Sequence, residues 1–569
     1  VHTYWKGKTN SELALSYMAP ETVKAMEHNV FTPGNYFYNG VGHVTVHYDK
    51  VLEKGLSGII REAAEELSRC QVGDADYATK HCFLEAVIMS CAAVIGYAER
   101  YAALAKREAE DCADPVRKQE LLQIAENCSR VPREGAKSFW EACQSFWFIQ
   151  QLLQMEGSGH SISPGRFDQY MYPYYKKDLD AGKITRDQAQ ELIDCIWVKL
   201  NDLNKARDAA SAEGFAGYSL FQNLIVGGQD ENGLDVTNDL SFMCIWASHH
   251  VFLPQPSLSI RVWNLTPHEL MIEAAKLTRT GIGLPAYYND EVIIPSLMNR
   301  GLTLEDARTY NIIGCVEPQK AGKTDGWHDA AFFNMCRPLE FVFSQGKDRG
   351  EQVGALTMRV EDMTTFEEFY DAYKQQMEYC ISLLVNADNS IDTAHAIRCP
   401  LPFLSGLVDD CMKRGKTVQE GGAVYNFTGP QGFGIANVAD SLYAIKTLVF
   451  DEKKVTLAEY KRALALNFGK GFDAITVQEM TQDVLKELKK AGQNPSEAQI
   501  AGIVKGIAQT ELSEEDRALC DRLYALIEEV PKFGNDIDEV DAFARDVAYT
   551  YTRPLQKYRN PRGGMFQAG

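Results

Sequence analysis

With 569 residues and a formal net charge of −20, the chain is long enough to bury a large core and acidic enough to argue against nucleic acid or an anionic membrane surface as partner. No run of about 20 uncharged apolar residues appears, so a membrane-spanning helix is not expected. The opening Val1-His2-Thr3-Tyr4-Trp5 has no signal-peptide pattern, and fourteen cysteines without zinc-type CxxC pairs or a dense disulfide framework fit a reducing cytoplasm.

In chain order, residues 35–44 form a glycine-punctuated aromatic segment that carries His43. The first third otherwise reads as mainly helical, with apolar residues at helical spacing over 58–67 and 137–147. Residues 157–166 are too rich in glycine and serine for a packed helix; they carry His160 and Ser161. Beyond about residue 218, short apolar runs at 223–228 and 258–262 alternate with helix-like stretches such as 266–277. This pattern predicts repeated strand-helix units, and so an α/β architecture with a largely parallel sheet. The run from about 470 to 530 is charged and amphipathic, which predicts a solvated helical excursion.

One stretch carries chemistry on its face: Asn311-Ile312-Ile313-Gly314-Cys315-Val316-Glu317-Pro318-Gln319. A thiol and a carboxylate two residues apart can face the same side of an extended or tightly turned segment. Free cysteine is more often a small buried hydrophobe, and Cys82, Cys91, Cys143, Cys195, Cys244 and Cys380 read that way. Cys315 differs in context. Ile312 and Ile313 read as the end of a buried strand, Gly314 permits an unusual turn, and Pro318 is expected to block regular structure soon after. Cys315 is therefore expected at the tip of a loop, where residue type alone leaves structural and catalytic roles both open.

His43, His160, Ser161 and Asp329 are candidates to join it, although each alone reads as a hydrogen-bonded structural residue. His249-His250 could hold a divalent ion, but no His-Glu-x-x-His helix, EF-hand loop or Cys/His zinc spacing supports a metal. Thr428-Gly429-Pro430-Gln431-Gly432-Phe433-Gly434 lacks the lysine and the glycine order of nucleotide loops and reads as a backbone-crowded turn.

Gly314-Cys315-Val316-Glu317-Pro318-Gln319 resembles the cysteine-loop motif of the glycyl radical enzymes, in the branch that dehydrates small diols. Residues 159–173, 253–259, 284–291, 326–329, 425–432 and 533–536 resemble the same branch, in order along nearly the whole chain. The resemblance implies a pyruvate formate-lyase-like α/β fold: a ten-stranded barrel of two five-stranded half-barrels inside a ring of helices, truncated at both ends. Residues 1–569 would be that catalytic barrel domain, with the charged stretch near 470–530 as an insertion.

In such enzymes a glycine-centred radical, installed by a partner activating enzyme that uses S-adenosylmethionine and an iron-sulfur cluster, oxidises the loop cysteine to a thiyl. By motif, Cys315 would abstract hydrogen from C1 of the substrate and Glu317 would accept the proton of the C1 hydroxyl. His43 would protonate the departing C2 hydroxyl, Asp329 would orient His43 or that hydroxyl, and His160 and Ser161 would hold the other substrate hydroxyls. The polar set, with neither a carboxylate nor an arginine at position 160, favours glycerol or propane-1,2-diol, converted to an aldehyde without coenzyme B12 or a bound metal. The alternatives are another glycyl radical lyase, such as a hydroxyproline dehydratase or a C–N or C–S lyase, and a non-catalytic homologue acting as a scaffold subunit.

The family's radical glycine lies in an Arg-Val-x-Gly-Tyr-like segment that Gly563, Gly564 and Gly569 do not match. These residues alone are therefore expected to hold no radical and to turn over no diol. The resemblance further implies a homodimer in the cytoplasm, free or enclosed in a bacterial microcompartment.

Overall fold

The computed structural model describes residues 2–205, 212–213, 220–471, 474–490, 492–508 and 512–569. A short strand β1 (Phe31–Pro33) is followed by five long helices: α1 (Tyr48–Arg69), α2 (Tyr77–Asp111), α3 (Pro115–Arg130), α4 (Phe139–Gly157) and α5 (Arg186–Asp202). Their starts are locally encoded. Ser138 caps α4 by accepting from the Glu141 N–H, and Thr185 and Gln188 form a reciprocal capping box on α5. α2 is long and apolar enough to cross a membrane, with a window of mean hydropathy 1.6. About 33% of that window is buried, and its Phe83, Leu84, Val87, Cys91 and Val94 pack into the main core.

The expected alternation follows: β2 (Asn223–Gly227), α6 (Asp239–Val251), β3 (Ser257–Val262), α7 (His268–Thr278), β4 (Ala286–Asn289) and α8 (Asp290–Asn299). Strands β2, β3 and β4 pair in parallel, and every residue of β2 is buried, as a strand covered on both faces requires. Isolated bridges between Leu224 and Gly165 and between Ile162 and Val44 extend this sheet. Five extended segments thus lie side by side, and the last two adjoin Ser161 and His43. The predicted boundary near residue 218 lies outside the described residues.

Further strands, apart from a two-residue hairpin pair at Lys347–Asp348 and Glu351–Gln352, are β5 (Asn311–Ile313), β6 (Glu317–Gln319), β7 (Thr324–Asp325), β8 (His328–Asn334), β9 (Tyr425–Asn426) and β10 (Gly429–Phe433). β5 and β6 form an antiparallel hairpin, β1 and β10 flank β8, and β9 pairs with β7. Among the described residues these ladders form separate short sheets and do not register as one closed ring. Behind the hairpin, Ile312 packs with Ile225, Ile294, Leu297 and Phe427 in an apolar cluster of its own. A long helix α9 (Phe366–Arg398), then α10 (Ile435–Ile445), and α11 (Ala474–Lys490), α12 (Glu497–Ala508) and α13 (Glu514–Glu529) precede the C-terminal α14 (Asp538–Leu555). The charged stretch is helical, as its periodicity predicts.

Three expectations need correction. Pro318 does not end regular structure: it sits in β6 opposite Ile312, where a short hairpin strand loses little by the missing N–H. Residues 429–433 are a strand, because the glycines there allow β10 to crowd against β8 without bending the chain back. Cys82 and Cys195 are exposed, whereas Cys91, Cys143, Cys244 and Cys380 are buried; helical periodicity placed the first two on the outer face.

Candidate active site

The hairpin tip is set by Gly314, whose φ of +58° lies in the left-handed region. A Cβ at Gly314 would lie 2.7 Å from Glu317 Oε2 and 2.8 Å from His43 Nε2. Base candidate and acid candidate therefore both close over the glycine, beside the cysteine. The Gly314 carbonyl accepts from Asn223 Nδ2 at 3.2 Å, and the Cys315 carbonyl accepts from the Tyr288 hydroxyl. These two bonds tie the tip to β2 and β4.

His43 arrives through a second tight approach. A side chain on Gly42 would strike the His160 carbonyl at 1.8 Å, so only glycine lets the 40–43 segment lie against 157–160. The His43 N–H then donates to the His160 carbonyl at 2.7 Å, and the two rings stand 5.7 Å apart between centroids. Ser161, at φ +62°, is fully buried, and its hydroxyl has no hydrogen-bond partner among the described residues. A buried, unsatisfied hydroxyl costs free energy on the order of 1–3 kcal/mol, which a ligand hydroxyl can recover.

Asp329, at φ +62°, accepts from Asn35 Nδ2 at 2.6 Å and not from His43. Asp329 was expected to orient His43 or the leaving hydroxyl; its carboxyl makes no hydrogen bond to His43, whose Nδ1 has no partner among the described residues. Glu317 is almost fully buried. Gln431 Nε2 donates to its Oε1 at 2.8 Å and the Val316 N–H to its Oε2 at 3.0 Å. His43, His160, Ser161, Cys315, Glu317 and Asp329 are all brought to this one region. Asn35, Tyr288 and Gln431 were missed as site residues; all three lie within motifs legible in the chain, but nothing in an amide or a phenol by itself signals which carboxylate or carbonyl it will meet.

Burial governs protonation here. It pushes the Glu317 carboxyl up, against the hydrogen bonds that favour its ionised form. Asp329 lies well above the usual carboxylate range through burial and the nearby Glu317. The Cys315 residue is exposed at the surface of the tip, but its sulfur sits deep enough that burial, with Glu317 and Asp329 adding repulsion, pushes the thiol up to about 12. His43 goes the other way, to about 3, so its imidazole is neutral near pH 7. A thiol that stays protonated is a poor nucleophile and a suitable hydrogen-atom carrier.

The pyruvate formate lyase-like family matches residues 1–569 in full. The chain belongs to that family. Among solved structures, the backbone superposes on a protein of 1,2-propanediol dehydration in Roseburia inulinivorans at a TM-score of 0.96, with 66% identity over all of this chain and 68% of that one. The B12-independent glycerol dehydratase of Clostridium butyricum gives 0.89, with 53% identity, all of this chain and 66% of that one. Among curated proteins, (2S)-3-sulfopropanediol dehydratase of Klebsiella oxytoca is 35% identical over 577 residues, covering all of this chain and 63% of that protein. The chain thus spans somewhat under two thirds of that curated relative. Within the family it groups with the glycyl radical enzymes of the diol-dehydratase branch, and its fold is theirs.

Proposed function

We propose that residues 1–569 are the catalytic barrel domain of a B12-independent dehydratase that converts glycerol or propane-1,2-diol to an aldehyde. The observation that carries this is the meeting of Glu317 Oε2 and His43 Nε2 within 2.8 Å of one point over Gly314, beside Cys315. The two diol-dehydratase relatives at 53% and 66% identity support the substrate class. Cys315 and Val316 are exposed while most of the hairpin is buried, which fits access by a radical donor. A glycine-centred radical, generated by a partner S-adenosylmethionine/iron-sulfur activating enzyme, supplies the oxidising equivalent that makes the Cys315 thiyl.

Cys315 then takes the hydrogen atom from C1, forming S–H and a carbon radical. Glu317 accepts the C1 hydroxyl proton, and the resulting ketyl expels the neighbouring hydroxyl more readily than the neutral radical does. His43 faces that leaving group as donor. Because His43 is neutral, it supports the leaving hydroxyl as a hydrogen-bond donor through its N–H, and the proton that completes the water is balanced by the one Glu317 has taken from the C1 hydroxyl, so every side chain ends the cycle as it began. One proton leaves the C1 hydroxyl and one joins the departing hydroxyl as water. Cys315 returns its hydrogen to C2, closing the balance on an aldehyde. His160 and the unpartnered Ser161 hydroxyl bond the substrate's hydroxyls and penalise ligands that lack them. A homodimer in the cytoplasm, free or within a microcompartment, completes the reading.

The test offers glycerol, propane-1,2-diol, hydroxyproline, choline and isethionate in parallel to the activated enzyme. Aldehyde is expected from at least one diol; aldehyde from neither would sink the assignment. Cys315→Ser is expected to abolish turnover with an unchanged circular dichroism spectrum and thermal midpoint.

A further inference from the structure

We propose that Gln431 is a positioning residue for Glu317, and that a register break between β8 and β10 is the device that aims it. This rests on Glu317 as the base. Gly429 pairs with His328 and Gln431 with Phe332, so β8 advances four residues while β10 advances two. The surplus includes Asp329, at φ +62°. Breaks of this kind re-aim side chains beside active sites, and here two side chains, Asp329 and Gln431, are turned toward one region. Pro430 occupies the break, where it has no N–H to withhold from the ladder. Its carbonyl accepts from the Tyr551 hydroxyl of α14 at 2.9 Å and from the Gly569 N–H at 3.0 Å. The C-terminal helix thereby holds the strand in its displaced course.

Gln431 completes the carboxylate's fixation. With the Val316 N–H on Oε2 and the Gln431 amide on Oε1, each oxygen has one neutral donor, which sets the plane of the group. The titratable groups that face Glu317 are Cys315 on its own hairpin, His43 on the N-terminal segment, Asp329 on β8, Tyr288 on β4 and Tyr36. None of these is a cation near neutral pH, so hydrogen bonds and not an ion pair hold the ionised base. An amide suits that task because it donates without titrating and cannot capture the substrate's proton.

The test compares Gln431→Met, Gln431→Glu and Tyr551→Phe in two measurements. In the chain without activation, proton-linked infrared difference spectra follow the Glu317 carboxyl, its band assigned by Glu317→Gln. In the activated enzyme, kcat/KM for a diol is measured against pH. The Glu317 midpoint and the acid limb of kcat/KM are both expected to move up by about one pH unit in Gln431→Met, further in Gln431→Glu, and less in Tyr551→Phe. A midpoint unmoved in Gln431→Met would overturn the proposal. A midpoint that moves in a protein that turns over no diol would leave the positioning role standing and remove the substrate reading instead. If Gln431→Met fails to fold, Tyr551→Phe decides, since it keeps the ring and removes only the hydroxyl that holds Pro430; an unmoved midpoint there counts against the proposal.

Discussion

At Gly314, the missing side chain is what allows Glu317 and His43 to approach each other over the hairpin tip. Gly314→Ala would drive a methyl to 2.7 Å from Glu317 Oε2 and 2.8 Å from His43 Nε2. Since the atoms that must move are those of the proposed base and acid, turnover is expected to fall by about two orders of magnitude or more, while the thermal midpoint drops by only a few degrees. Protonation gives a second outcome at this scale. Glu317 must be ionised to accept a proton, and burial raises it, so kcat/KM is expected to fall on the acid side at a pH above the ordinary value of about 4.3. His43, depressed to about 3, should add no limb near 6.5. A pH profile of the activated enzyme that breaks near 6.5 and loses that break in His43→Asn would contradict this. The Cys315–Glu317 pair was legible because two residues on one short turn must be near each other. Asn35 and Gln431 were not, because their partners lie far along the chain.

Among elements, the helices and the β2–β4 units follow from periodicity and caps, which act within one or two turns of chain. Thr365 with Glu368 starts α9 as Thr185 with Gln188 starts α5. What local pattern does not contain is the tie between elements. Arg261 on β3 is fully buried and holds Asp290, the first residue of α8, through Nε at 2.9 Å and Nη2 at 2.7 Å. Its Nη1 also donates to the Tyr310 carbonyl at the base of the cysteine hairpin, at 3.3 Å. Arg261→Met would strand the Asp290 carboxylate in the core with only Tyr310 and Gln229 as donors. Urea unfolding is expected to show a loss of about 3–5 kcal/mol. The β8/β10 register break is of the same kind: the Gly-Pro-Gln-Gly run marks an irregular backbone, and only the paired strand shows that the irregularity lies within a ladder.

For the molecule as a whole, distant segments are fastened at one buried aromatic and charged column. Tyr36 stacks on Trp327 at 4.4 Å, and the Arg562 guanidinium lies 5.1 Å from that indole while pairing with Asp325 and Asp392. His395 of α9 hydrogen-bonds the Tyr36 carbonyl through Nε2 at 2.7 Å, and burial depresses it to about 4. Unfolded, the same imidazole takes up its proton near pH 6.5, so the unfolded state binds more protons below that value. The stability that His395 contributes is therefore intact above pH 6.5 and lost progressively as pH falls toward 4. Between pH 7 and pH 4.5 the protein is expected to lose roughly 2–3 kcal/mol more than His395→Gln does, read from urea midpoints at the two pH values. Equal losses in both would show that the residue is not held neutral.

The sequence by itself determined the helices, the strand-helix alternation, the family, and the adjacency of Cys315 to Glu317, because each depends on short-range spacing or on motifs read one at a time. Only the tertiary structure decided that Glu317 and His43 meet over Gly314, that Asp329 bonds Asn35, and that Gln431 bonds Glu317. Those contacts join residues up to hundreds of positions apart, and burial among them, which no local pattern encodes, sets which groups keep their protons.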